Sequence, residues 1–336
     1  MIKVFKYIFL TFVFLNAFAQ NSKYLIFNKD VDTIWSPVQL YINGSFDVIQ
    51  NPYWFNQENY WKKHKEVWNE VKDPFHEIRK EGSFGEFFKE EFLSDRVLPN
   101  IFLHTFGGAY ETKKLLEYAD YYEIKWAKTF SFFVTYAMHF GNEANETDQP
   151  EVSAYDHIAD LYFFDVAGFF LGLNDDFMNF MINEAGMSTW HFMPVYDIEH
   201  EDFFNVGLNY VFRPKILHYK NMRPLLYLGM MNMGGITFDV GDLSHSVVAG
   251  LALTNPLERK GRFVYGYYLE TLGRQAASLL LNGSEDFRVR LNLYPALFKH
   301  YSGTVRNFAL MLGQTKNEDF AFGINYELPV SIGYLN

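Results

Sequence analysis

The sequence predicts an α+β protein: a helical N-terminal half, then an antiparallel β-sheet closed or nearly closed into a barrel of about 10–12 strands. Three observations predict it. Apolar residues recur at helical spacing up to about residue 186. From Ser188 onward the period drops to two. Aromatic residues make up 19% of the chain, with 36 Phe and 23 Tyr. Aromatics favour strands and membrane interfaces, where one end of the ring is apolar and the other wet. The mean hydropathy of −0.14 does not reveal such a sheet, because alternating strands average out.

Residues 1–19 read as a secretory signal peptide. Lys3 and Lys6 give a positive start, Tyr7 to Leu15 an apolar core, and Ala17-Phe18-Ala19 a small-x-small cleavage site before Gln20. The core is too short to span a bilayer as a mature helix. The expected setting is the outer membrane or periplasm, reached by export. The chain has no cysteine, which excludes disulfides, a thiolate metal site and lipid attachment at an N-terminal Cys. The net charge is −11, and no basic run is present, which argues against a nucleic-acid partner. Cleaving Lys3 and Lys6 away would make the charge about −13.

Residues 20–56 read as an extended segment with a possible strand pair around Asn43-Gly44, between Pro37 and Pro52. Residues 57–186 read as helical. Glu58 to Lys72 carries Tyr60, Trp61, Val67, Trp68 and Val71 on helical spacing. His76 to Phe92 continues the pattern with a break at Gly82-Ser83. Asn100 to Tyr121 and Ile124 to Phe140 follow, the latter about 17 residues long, the lower limit for crossing a membrane. Ser153 to Asp156 has capping-box spacing with Asp in place of Glu, and opens a helix to about Leu171 that Gly172 and Asn174 can end. Asp175 to Glu184 is a short last helix.

Residues 187–336 read as the barrel-like region. Phe204 to Phe212 has a large apolar residue at every second position. Phe287 to Leu293 alternates too and places Arg288 and Arg290 on one face, able to line a lumen or sit at headgroup level. Phe263, Tyr265, Tyr267 and Leu269 form another set, and Phe320 to Leu328 puts bulk on one face and small or polar residues on the other. Turn signals separate the runs, among them Asn282-Gly283 and Lys316 to Asp319. Against closure as a membrane barrel, the chain ends Tyr334-Leu335-Asn336, with the aromatic displaced from the last position. A soluble or peripheral β-rich domain is the competing fold.

The helical half holds the one polar constellation with chemical potential: His104, Gly107, Gly108, Glu111, His139, Glu143, Asp156, His157 and Asp160. The catalytic candidates are His104, Glu143, Asp156 and Asp160. Gly107 and Gly108 allow close approach of a backbone or ligand and, with His157, are the ligand-binding candidates. His104, His139 and Asp160 are the candidate ligands of a divalent metal; no other cofactor is expected. Asp156 and Asp160 stand four apart on one helix face. A plainer reading makes Asp156 a capping residue, His157 and Asp160 local ion-pair members, and His104 a satisfied core histidine. No nucleophile elbow, phosphate loop or dinucleotide fingerprint occurs.

The order His104-x-x-Gly107-Gly108, an aromatic helix ending near Glu143, then Ser153-x-x-Asp156 with a later Gly168, then a β-rich half, resembles uncharacterised envelope families of Gram-negative bacteria. Those families join apolar helices to an outer-membrane-type barrel region. The resemblance covers residues 98–330 and implies an outer-membrane setting but no reaction. This chain departs from it at Asp160, where Asn is expected. The expected function is therefore an outer-membrane protein of structural, binding or transport role, its partner the outer-membrane lipid, with helices packed in or against the barrel. The alternative is a membrane-associated hydrolase acting on lipid or cell-wall material through the His/Asp/Glu cluster.

Overall fold

The computed structural model describes residues 24–46, 59–94, 97–147, 152–229, 231–255, 260–282, 287–298, 305, 307–315 and 317–336. Residues 1–19, read from the sequence as a signal peptide, and the expected cleavage site lie outside these residues. The fold is α+β, with helices up to Asn183 and a 13-stranded sheet from Ser188.

The expected strand pair near Asn43 is instead an α-helix, Pro37–Ser45. Ser36 caps it by accepting from Gln39 N–H, and Pro37 at the first position pre-sets the helical φ. These two start signals outweigh the Asn-Gly turn chemistry. Gly44 is then a packing glycine: an added Cβ would lie 2.2 Å from Met138 Cγ. Helices Tyr60–Val71, Pro74–Glu81 and Phe84–Leu93 follow the periodicity, with the break at Gly82 as expected.

Two π-helical segments shape the middle of the chain. Ile101–Gly107 carries His104 and leads into helix Gly108–Tyr121. Asp160–Phe164 splits the expected Ser153–Leu171 helix into Ala154–Ala159 and Asp165–Gly172. Between them, helix Ala127–Glu146 starts at Trp126, whose φ is 70°. No helix of the described residues is long and apolar enough to cross a membrane.

The sheet is mixed rather than purely antiparallel, and it is not closed into a barrel. Strands β4 (Tyr210–Phe212), β5 (Met222–Leu228), β6 (Met231–Val240), β7 (Leu243–Asn255), β8 (Lys260–Thr271), β9 (Arg274–Leu281), β10 (Phe287–Leu293), β11 (Phe308–Thr315), β12 (Phe320–Tyr326) and β13 (Ser331–Leu335) form an antiparallel meander. β1 (Ser188–Thr189) pairs with β4 at one end. At the other end β13 pairs in parallel with β2 (Val195–Asp197), which pairs with β3 (Asp202–Phe204).

The open order has a local cause. β1 and β2 lie on one arm of a hairpin, and β3 and β4 on the other. The expected continuous strand Phe204–Phe212 is broken by Asn205 at φ 56° and Gly207 at φ 145°. Only isolated backbone bonds cross there: Trp190 N–H donates to Asn209 O at 3.0 Å and Phe192 N–H to Gly207 O at 3.4 Å. Asn43 of the helix Pro37–Ser45 fills the gap. Its Nδ2 donates to Phe192 O at 2.7 Å, and its Oδ1 accepts from Gly207 N–H at 3.2 Å.

The outer face of the meander is apolar and exposed, and its inner face mixes buried polar with buried apolar residues such as Val248, Val264 and Leu280. Phe263, Tyr265, Val247, Leu251, Ile324 and Ile332 point outward and are exposed. Thr237, Ser246, Ser278, Asn292, Asn325 and Ser331 are buried on the inner face. Trp190 stacks on Tyr268 inside, with ring centroids 4.1 Å apart. Arg288 and Arg290 do not share a face. The register shifts between Phe287 and Val289, so Arg288 is exposed while Arg290 turns inward over the Phe192 ring, 3.7 Å from its centroid.

One buried ion-pair group joins a helix to the sheet, and a second ties two parts of the sheet together. Asp32 meets Lys114 Nζ at 3.3 Å and Arg274 Nε at 3.1 Å. Arg213 Nη2 donates to Glu270 Oε1 at 3.0 Å, and Trp190 Nε1 donates to the same oxygen at 2.9 Å. Arg274 on β9 thus ties the sheet to the segment before the helix Pro37–Ser45, through Asp32 and the Ile26 carbonyl.

Candidate functional site

The polar residues of the helical half converge in its interior. His104 comes from the π-helix Ile101–Gly107, His139 and Glu143 from helix Ala127–Glu146, and His157 from helix Ala154–Ala159. Asp160 opens the second π-helix and Asp165 follows its end. All six side chains are buried. Burial of so many ionisable groups is costly unless each is paired.

His104 stands at the centre. Its Nδ1 lies 2.9 Å from Asp165 Oδ1, and its Nε2 lies 3.4 Å from Asp160 Oδ2. His139 Nδ1 contacts the same Asp165 oxygen, and the two imidazole centroids are 4.7 Å apart. His157 Nδ1 lies 2.6 Å from Glu143 Oε2, and its Nε2 lies 3.5 Å from Glu70 Oε2. Ligand atoms of His104, His139 and Asp165 lie within 4.8 Å of one another, as do those of His104, Glu143 and Asp160.

The local sequence explains this meeting. In a regular α-helix a residue five positions on has rotated well past the starting face. The π-helical turn at Asp160–Phe164 takes in one more residue, which returns Asp165 to the face of Asp160. Gly168 then lets the second helix approach the first. A Cβ there would lie 2.5 Å from His104 O. At Gly108 a Cβ would lie 3.3 Å from His139 Cε1, so this glycine keeps space beside the cluster. Gly107 does not. Its missing Cβ makes room for Tyr210, at 2.7 Å, and serves packing on the hairpin.

The cluster separates the protonation preferences of its members. Burial disfavours the charged form of His104, but Asp160, Asp165 and the hydrogen bond to Asp165 outweigh it and push its pKa up to about 10. Burial pushes Asp160 well above the ordinary carboxylate range; His104 opposes this, and Glu143, Asp156 and Asp165 add to it. Burial acts in the same direction on Asp165, yet His139 and His104 beside it hold its pKa below the ordinary value. For His157, burial is outweighed by the hydrogen bond to Glu143, and its pKa rises.

A comparison with protein-family models, curated proteins and solved structures returns no match. The chemistry must therefore be read from the geometry itself.

Of the sequence candidates, His104, His139, Glu143 and Asp160 come together directly, with His157 attached through Glu143. Asp156 is buried in the first turn of its helix, where its charge bears on His157 and Asp160. It belongs to neither of the two close ligand groups. Glu111 is elsewhere. Its Oε1 lies 2.5 Å from His191 Nε2, and the Asn209 N–H donates to His191 Nδ1 at 2.8 Å. Asp165 was not expected from sequence. Its signal is positional: it lies five residues after Asp160, a spacing that looks off-face until the extra residue of a π-turn is counted. Such an arrangement can hold a divalent cation or pass protons between histidines and carboxylates.

Proposed function

We propose that this chain is an outer-membrane protein of structural, binding or transport role, whose sheet turns its outer side to lipid and whose helices pack against the inner hairpin. One observation carries this reading: the outer face of the sheet is a broad exposed aromatic and aliphatic surface, while the inner face intersperses buried Ser, Thr, Asn and Arg with apolar residues. In water the outer face of the meander would leave a broad aromatic and aliphatic surface wet, far beyond what a soluble monomer usually exposes. In lipid the same surface is satisfied, and the inward Ser, Thr, Asn and Arg residues add polar groups to an interior otherwise packed by apolar side chains. The small inner residues suit a narrow interior filled by Trp190, Phe192 and Tyr268 rather than a wide aqueous pore.

The test is cell fractionation of the full chain. Recovery in the outer-membrane fraction, resistance to carbonate washing and heat-modifiable gel migration are the expected results. Complete release by carbonate would rule the reading out.

A second reading rests on the buried cluster: a membrane-associated hydrolase acting on lipid or cell-wall material. His104 between Asp160 and Asp165 is the observation in its favour, since two carboxylates of opposite protonation preference flank one imidazole. Each of these side chains is buried, so a polymer would reach them only after the helices part. Loss of an envelope hydrolase activity in both His104→Ala and Asp160→Ala, with the sheet intact, would support it. Unchanged activity in both would remove it.

A further inference from the structure

The structure assigns a divalent first-row metal site to His104 Nε2, Asp160 and Glu143, with Asp165 and His157 as the residues that orient the ligands. The two close ligand groups of the cluster differ in their spacing, and the difference separates ligand from support. Where an imidazole N–H donates to a carboxylate, the atoms lie under about 3 Å apart. Where two atoms bind one ion at bonds of about 2.1 Å, they lie about 3.4 Å apart in a tetrahedral site. His104 Nδ1 to Asp165 Oδ1 is 2.9 Å, a hydrogen bond. His104 Nε2 to Asp160 Oδ2 is 3.4 Å, the ligand spacing, and a Glu143 oxygen falls within the same 4.8 Å group.

This is the carboxylate–histidine–metal arrangement in which a second carboxylate fixes the tautomer and angle of a ligating imidazole. Asp165 accepts from His104 Nδ1, so Nε2 points toward Asp160, and an ion binding there would displace the Nε2 proton. His157 holds Glu143 in the same way, at 2.6 Å from Oε2. Asp160 Oδ1 is also buried, and no hydrogen bond to it is found among the described residues, so this carboxylate is incompletely satisfied by protein alone. One nitrogen and two carboxylates, with no thiolate in the chain, favour Mn(II), Fe(II) or Zn(II). Three protein ligands leave at least one position for water or substrate.

The assignment does not depend on the membrane reading, and its test is separate from fractionation. The full chain, purified from whichever fraction holds it, would be analysed for metal by elemental mass spectrometry. It would then be stripped with chelator and titrated with Mn(II), Fe(II) under anaerobic conditions, or Zn(II), with thermal unfolding as readout. About one equivalent per chain, and a higher Tm on readdition, are expected. Asp160→Asn and Glu143→Gln should lower affinity at least about tenfold, and Asp165→Asn about 10–100-fold through misorientation of His104. His191→Gln, in the separate Glu111 pair, should bind as the parent does. If a cluster variant does not fold, stripping and readdition on the parent chain decide. Less than about a tenth of an equivalent in the parent together with no Tm change on titration with any of the three ions, or full retention of metal in folded Asp160→Asn and Glu143→Gln, would overturn the assignment.

Discussion

Asn43 Nδ2 donates to the carbonyl of Phe192 over 2.7 Å, so a side chain from the helix Pro37–Ser45 stands in for a missing rung of the sheet. The same amide accepts from Gly207 N–H on the opposite arm. Asn43→Ala would leave a buried acceptor and a buried donor without partners. The expected cost is about 2–4 kcal/mol, measured by denaturant unfolding. A loss under about 0.5 kcal/mol would mean that water satisfies the seam as well as Asn43 does.

The Asp32 bridge and the Glu270–Arg213 pair give a pH dependence with a definite sign. Burial alone would raise Asp32, but Lys114 and Arg274 outweigh it and hold its pKa below 3.8. Glu270 is likewise held below 4.5 against burial, by Arg213 and the hydrogen bonds from Arg213 and Trp190. A carboxylate whose folded pKa is depressed contributes stability that is present above its unfolded pKa and is lost as pH falls through the folded one. Unfolding scans should therefore show this contribution intact near neutrality and lost below about pH 4. Asp32→Asn should cost about 3–5 kcal/mol at neutral pH and flatten the acid limb.

Gly168→Ala tests how closely the two π-interrupted helices must approach. The added methyl would meet the His104 and Thr105 backbone, which cannot swing aside as a side chain can. About 1–3 kcal/mol of destabilisation is expected. Metal occupancy should fall with it, because His104 is displaced. Gly85, where an added Cβ meets nothing closer than 3.8 Å, is the matched control, and Gly85→Ala should be neutral or slightly stabilising.

Tyr265→Arg distinguishes lipid from water around the sheet. Tyr265 is 53% exposed on the outer face of β8. Surrounded by water, this substitution should change stability by no more than about 0.5 kcal/mol. Surrounded by lipid, it should cost up to about 2–4 kcal/mol in refolding experiments with vesicles, according to depth. A neutral result in vesicles would count against lipid contact at this strand.

Much of the fold was legible because periodicity survives tertiary packing. The helices after Glu58 and the strands through Phe263–Leu269 and Phe320–Tyr326 lie where the spacing places them. Three of the failures share a cause: local geometry that interrupts a residue count. The bulge at Phe287 moves Arg290 to the inner face while Arg288 stays outside. The positive φ of Asn205 and Gly207 breaks a strand that alternation makes continuous. The π-turn after Ala159 brings Asp165 beside His104, whereas spacing by fours leads only from Asp156 to Asp160. At Asn43 two opposed signals met, and Ser36-Pro37 prevailed. His104, His139, Glu143 and Asp160 were recognisable as residue types, but their convergence depends on crossings that no short motif encodes.

The parallel pairing of β13 with β2 carries a consequence for how the molecule is assembled. Leu335 N–H reaches Asp197 Oδ2 across 138 positions, at 3.2 Å. Every other strand from β5 to β12 finds its partners next door, and can zip as a succession of hairpins within microseconds. β2 must wait for the last of them. Ring closure over so long an interval carries a large entropy cost that neighbouring hairpins avoid. The β2 edge stays bare until late, and unpaired edges invite intermolecular pairing. A chaperone that shields this edge, or a surface that confines the growing meander, would raise the yield of folded protein, and premature release would favour aggregates joined at that edge.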